Sequence, residues 1–150
     1  MDLKNQLPII LPLAIDWAED VYALIQNSGA ALDEGERKIA QRVGVANPEK
    51  IRVIESDLVP QPDHPVLKEA SLQTGMLSPA TNGLTLGYSI FIKSGRKSTR
   101  LLSHECRHVH QYESYQSIAG FLAEYLQQII DYGYYDAPLE IDARRHEISC

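Results

Sequence analysis

Five consecutive residues, His104-Glu105-Cys106-Arg107-His108, constrain this chain more than any other feature of its 150 positions. On a helix advancing about 100° per residue, the two histidines lie about 40° apart, one turn above the other. Leu102, Cys106 and Val109 cluster on roughly the opposite side, so the spacing predicts a helix that buries that side in a core. The histidine side then looks into a cleft.

Two imidazoles on one helical face can reach the same metal ion. Glu105 sits about 60° from His108 on the same side, where a carboxylate can take a proton from a water polarised by the metal without being a ligand. Zinc lowers the pKa of such a water toward about 7, so the arrangement supplies a hydroxide nucleophile near neutral pH. The pattern therefore points to a zinc-dependent hydrolase with Glu105 as general base. By chance alone, a chain of this composition would carry it on the order of once per hundred sequences. The plain alternative is a helix whose histidines only form hydrogen bonds.

Composition narrows the classes. A chain of this length makes one ordinary domain, residues 1–150, able to bury roughly two thirds of its unfolded surface. Fourteen basic against twenty acidic residues leave a formal charge of -6. The basic residues cluster only at Lys93, Arg96, Lys97 and Arg100, which reads as a solvated loop and helix start. Nucleic acid is therefore excluded as an expected partner, because a phosphate backbone needs a concentrated positive face.

Two cysteines, Cys106 and Cys150, are too few for a disulfide framework and point to a reduced compartment. The apolar run from Leu7 to Ile15 holds two prolines and leads into Asp16 and Trp17 without a small-residue cleavage pattern. No apolar stretch approaches the roughly twenty residues that cross a bilayer. The expectation is a soluble cytoplasmic protein with no membrane partner.

Periodicity predicts a first helix over residues 13–26, stopped by Asn27-Ser28-Gly29. A second is predicted over 34–43, with Asp33 and Glu36 at capping-box spacing and Gly44 closing it. Ile51 and Val53 suggest a short strand, and residues 66–74 a short helix ending at Gly75. Leu84, Leu86, Tyr88, Ile90 and Ile92 alternate with Thr85, Gly87 and Ser89, which predicts one strand from Leu84 to Ile92. The histidine helix should run from Lys97 or Ser98 to about Tyr115. An amphipathic helix follows from Ile118 to Ile130 with Gly133 as its stop. Asp136 can then cap a last helix that has Pro138 in its first turn and continues to His146.

A catalytic zinc site takes three protein ligands and one water. His110 projects about 160° from His108 on the same helix, and His64 precedes a proline in a loop, so neither is the third ligand. Glu140 on the last helix is the candidate. Asp142 lies about 160° away around that helix, so the two cannot both face one metal. Glu140 can also be read as a first-turn acid that merely favours the helix N-terminus. Tyr132, Tyr134 and Tyr135 precede this helix, where a phenol could stabilise an oxyanion or simply pack. Cys106 belongs to the core, and Arg145 and His146 face solvent.

His104-Glu105-Cys106-Arg107-His108, an apolar helix, and then Glu140-Ile141-Asp142-Ala143-Arg144 together resemble the gluzincin metallopeptidases over about the last third of the chain. The stretch from Gly83 through Tyr112 also resembles small uncharacterised bacterial domains of that predicted zinc-hydrolase kind. The resemblance implies an α+β, mostly helical zincin-like domain with a small sheet and an active helix packed beside an edge strand. That strand, Leu84 to Ile92, would hold an extended peptide by strand addition.

It further implies Zn2+ as cofactor, held by His104, His108 and Glu140, with a peptide or protein substrate. Gluzincins place an aspartate four residues after the ligand glutamate to steady a zinc-binding histidine, and this chain has Arg144 there. The supporting role falls to Asp142 or to no visible residue. Two alternatives follow: a zinc-binding module of this fold with a binding or regulatory role, and a metal-free helical interaction domain.

Overall fold

A computed structural model describes residues 2–149; Cys150, one of the two cysteines, lies outside them. The fold is α+β and mostly helical, with six helices around one four-stranded mixed sheet. Among the described residues no helix is long and apolar enough to cross a membrane.

Helix α1 spans Leu3–Ser28, begun by the Asp2 side chain accepting from the Asn5 N–H and closed at Gly29. It starts ten residues before the expected position and takes in Pro8 and Pro12. Each proline removes one backbone donor and crowds the preceding turn. Both are exposed, so water can satisfy the freed carbonyls while Ile10, Ala14, Ala18 and Ile25 stay buried on the other side.

The two-residue strand β1 (Ala30–Ala31) leads to α2, Glu34–Arg42. The capping box forms as the spacing predicts. Asp33 accepts from the Glu36 N–H at 2.8 Å, and Glu36 accepts from the Asp33 N–H at 2.9 Å. A short 3-10 turn at Pro48–Lys50 precedes β2 (Arg52–Ser56), and α3 (Pro65–Thr74) ends at Gly75 with φ 74°.

The expected single strand from Leu84 to Ile92 is a hairpin instead: β3 is Gly83–Leu86 and β4 is Ser89–Lys93. The chain reverses at Gly87 and Tyr88, where Gly87 takes φ 62°, the left-handed conformation such two-residue loops favour. Leu84 pairs with Phe91 and Thr85 with Ile90. The apolar stripe is thereby split. Ile90 and Ile92 pack with Leu102, Cys106 and Val109, while Leu84 and Leu86 pack with Ala18, Phe121 and Leu122.

The sheet order is β1-β2-β4-β3, with β2 parallel to β4 and the other pairs antiparallel. β3 is therefore an edge strand, and helix α4 (Thr99–Tyr115, begun by the Ser98 cap) packs against it. Helix α5 (Ile118–Tyr132) lies between α1 and α4 and ends at Gly133. Helix α6 (Pro138–Arg145) closes the fold across α4. Asp136 does not cap α6. Ala137 holds the cap position, and the Gln128 side chain of α5 accepts the Leu139 N–H at 2.9 Å.

Ile90 is fully buried directly beneath the α4 face that carries Cys106. Ile90→Ala should lower the unfolding free energy by about 2–5 kcal/mol, measured by urea denaturation.

Candidate metal centre

His104 and His108 project from one side of α4, and their rings meet edge to face with centroids 5.0 Å apart. The apolar residues on the other side of α4 set this direction. Leu102, Cys106 and Val109 are 2%, 0% and 0% exposed, so the helix cannot rotate without pulling them from the core. Glu140, in the first turn of α6, enters from across the cleft. Its Oε1 lies 3.3 Å from His104 Nε2 and its Oε2 3.0 Å from His108 Nε2.

One ligand atom from each of the three lies within 4.8 Å of the others. Ligands held at about 2.0–2.2 Å around a tetrahedral ion are about 3.4 Å apart, so the three side chains could hold a metal with little movement.

The outer nitrogen of each imidazole is engaged, which frees the inner one. Gln111 uses its amide nitrogen on the Leu139 carbonyl at 2.9 Å and on Asp142 Oδ2 at 2.8 Å. Its oxygen therefore faces His108 Nδ1 at 2.8 Å, and His108 is the donor. His104 Nδ1 lies 2.8 Å from Glu147 Oε2 and donates to that carboxylate. Both Nε2 lone pairs are thereby directed at the centre, the orientation in which metal-bound histidines are held.

The structure relocates the supporting acids. Arg144, at the position where an aspartate was sought, turns away to donate to the Tyr135 carbonyl and stack on the Tyr135 ring at 3.9 Å. Glu147 takes the place beside His104. Asp142 does not approach the centre; it pairs with Arg107 at 2.8 Å and holds Gln111. Gln111 stands three residues after His108, a spacing that could have flagged it. Tyr125, on the buried face of α5, donates to Glu140 Oε2 at 2.6 Å, the partner a buried phenol requires.

Glu105 is 4% exposed and lines the same cavity as the triad, a space of about 110 Å³. Thr85 Oγ of β3 donates to its Oε1 at 2.8 Å. Gly83 makes room for it, since a Cβ there would lie 2.8 Å from Glu105 Oε2. Neither Gly83 nor Thr85 carried a signal in the sequence beyond its place in a turn or strand.

Of the three tyrosines before α6, Tyr134 lines the cavity, while Tyr132 and Tyr135 are 59% and 69% exposed. His110 faces the Gly44 carbonyl at 2.9 Å, and exposed His64 caps α3 by accepting the Val66 N–H. His146 is half-exposed and lies with its Nδ1 2.8 Å from the Asp142 carbonyl. Cys106 is buried in the core, and that burial, with the Glu105 charge, pushes its thiol up to about 12. It remains a thiol.

Without metal the centre is an ion cluster. Burial alone would lower the His104 pKa, but the Glu140 hydrogen bond and the charges of Glu105 and Glu140 outweigh it and raise it to about 9. His108 is raised against the same burial by the Glu140 charge and hydrogen bond. Burial opposes ionisation of Glu140. The His108 charge and hydrogen bonds from His104, His108 and Tyr125 more than offset it and hold the carboxyl well below the usual carboxylate range.

Compared with protein families, with curated proteins and with solved structures, the chain matches none. The residues themselves carry the functional reading.

Two outcomes follow from this geometry. Glu147→Gln should weaken metal affinity about 10- to 100-fold, read by competition with a chromogenic chelator, because His104 loses its anionic support. In the metal-free protein, the raised His104 pKa adds stability that is fully present below about 6.5 and lost as pH rises through about 9. The lowered Glu140 pKa adds stability present above about 4.5 and lost as pH falls. Thermal melts in chelator should thus peak between about pH 4.5 and 6.5 and decline toward pH 9, with the alkaline decline reduced in His104→Gln.

Proposed function

We propose that this chain is a zinc-dependent hydrolase of amide bonds, a minimal gluzincin-like metallopeptidase acting on peptide or protein substrates. One observation carries the reading: His104 Nε2, His108 Nε2 and a Glu140 carboxylate oxygen converge on one point beside a cavity that Glu105 also lines. Two imidazoles and one carboxylate are the donor set of hydrolytic zinc sites, whose fourth position is left to water. When bound, the metal supplies a Lewis acid that lowers the pKa of an adjacent water and polarises a carbonyl.

The remaining work falls to the chain's own groups. Glu105, fixed by Thr85 and seated over Gly83, accepts the proton of the attacking water and returns it to the leaving amine. Burial and the charges of Glu140 and Glu105 raise the Tyr134 pKa, so its phenol stays protonated. As a residue lining the cavity, it is a donor for negative charge developing on the carbonyl oxygen. The unpaired outer side of β3 offers backbone groups to an extended substrate.

The alternative, a zinc-binding module with a binding or regulatory role, rests on Arg144 and the short chain; the Glu147 carboxylate at His104 favours the hydrolase reading over it. A cytoplasmic location belongs to this reading, supported by the scarcity of cysteine, and nucleic acid is left out by the net charge of -6.

Glu105→Gln separates catalysis from metal holding. It should keep one zinc per chain by elemental analysis and lose about 10²- to 10⁴-fold in turnover of fluorogenic peptides. Wild-type activity in that variant, or purified protein without stoichiometric metal, would refute the proposal.

A further inference from the structure

The cavity at the triad continues away from it as an apolar channel. One wall is a stripe of α1, Leu3, Leu7, Ile10, Ala14 and Trp17; at about 1.5 Å rise per residue it extends over about 21 Å. Leu67 of α3 and Leu126 of α5 line the channel as well and belong to the same apolar cluster as that stripe. His104, Glu105, His108 and Glu140 line the cavity at its polar end. A space of about 110 Å³ running along such a stripe would be a slot about one chain wide.

The lining selects what that chain is. Among the described residues it contains no lysine or arginine, so beyond the two histidines at the triad nothing there pairs with a carboxylate or phosphate. The Ser71 and Thr74 hydroxyls on the α3 side are spent on the Lys68 and Ala70 carbonyls. Helical walls have already used their backbone N–H and C=O groups on themselves. A polypeptide threaded along the slot would bury its own amides without partners, whereas a hydrocarbon chain has none to satisfy. Edge strand β3 offers free backbone groups to the cavity where Gly83, Leu84, Thr85 and Leu86 line it, and outside the helices only the loop residues Pro62, Met76, Leu77 and Tyr134 line it besides.

We propose that the channel takes the hydrocarbon chain of an N-acyl amide, an acylated peptide or amino acid, with its acyl carbonyl at the triad. This rests on the amide-hydrolase reading and names its substrate class. One water adds through its oxygen to the acyl carbon, and the C–N bond breaks with its electron pair remaining on nitrogen. One water proton reaches that nitrogen by way of Glu105 and the other follows at neutral pH, so the products are a fatty carboxylate and an ammonium group.

The test is calorimetric binding of N-acetyl-, N-hexanoyl- and N-dodecanoyl-glycinamide to zinc-loaded Glu105→Gln protein, with amine release by the wild type measured in parallel. Affinity should rise with chain length, at most roughly fourfold per added methylene. Adding Ala14→Phe, which fills the slot from α1, should cut the dodecanoyl-to-acetyl affinity ratio at least tenfold. If that variant does not melt cooperatively, Ala70→Leu narrows the same slot from α3. Equal affinity for the three amides, or an unchanged ratio in a folded slot-filling variant, overturns the channel. Chain-length-dependent binding without amine release overturns the hydrolase reading and keeps the channel, and amine release without chain-length dependence does the reverse.

Discussion

Everything at this centre turns on one buried carboxylate placed between two imidazoles. Glu140 is 3% exposed and His108 is 6% exposed, and neither charge could remain there alone. Removing one partner of such a pair costs about 3–5 kcal/mol, mostly because the other is left uncompensated. The cluster therefore fixes how α6 sits on α4. Around it run the Arg107–Asp142 pair, the Gln111 amide against the Leu139 carbonyl, and the Ser103 hydroxyl accepting the Ile148 N–H. Each ties the C-terminal segment to the histidine helix.

The same cluster could hold a metal in place of the protons it otherwise carries. Two imidazolium groups beside one carboxylate leave two like charges facing each other across 5.0 Å between ring centroids, and His104 indeed opposes protonation of His108. One divalent ion delivers the same charge at a single point and lets both rings act as neutral donors. Metal uptake would displace protons, so its strength would rise with pH over the range in which the histidines titrate. Glu147 and Gln111 keep the Nδ1 protons in either state, so the rings need not turn.

What was legible in the sequence was whatever a single helix dictates. His104, Glu105 and His108 share a face because of helical pitch, and Leu102, Cys106 and Val109 declare the opposite face buried. The Asp33–Glu36 box and the stops at Gly75 and Gly133 are likewise local chemistry. The hairpin was hidden because residues at even positions remain apolar through it. After a two-residue loop, Leu84 and Leu86 fall on the face of Phe91 and Ser89, opposite to Ile90 and Ile92. Apolar residues on both faces are tolerated because β4 is buried from Ser89 to Ile92. Alternation could not distinguish one half-buried strand from two strands covered on both sides. Glu147 was out of reach for another reason: its approach to His104 depends on how the chain leaves α6, a tertiary fact with no periodic trace.

The two sides of α4 impose opposite demands that the surrounding elements reconcile. One side requires dry packing against Ile90 and Ile92, while the other must keep four ionisable side chains partnered. The boundary falls at β3, where Thr85 reaches Glu105 and Leu86 joins the apolar cluster of α1 and α5. Gly83 marks the tightest point of that boundary, because a side chain there would meet the Glu105 carboxylate itself. A short edge strand with one small residue thus seats the acid against the sheet. Its open side remains free, so the feature that positions Glu105 is also the one that leaves an approach to it.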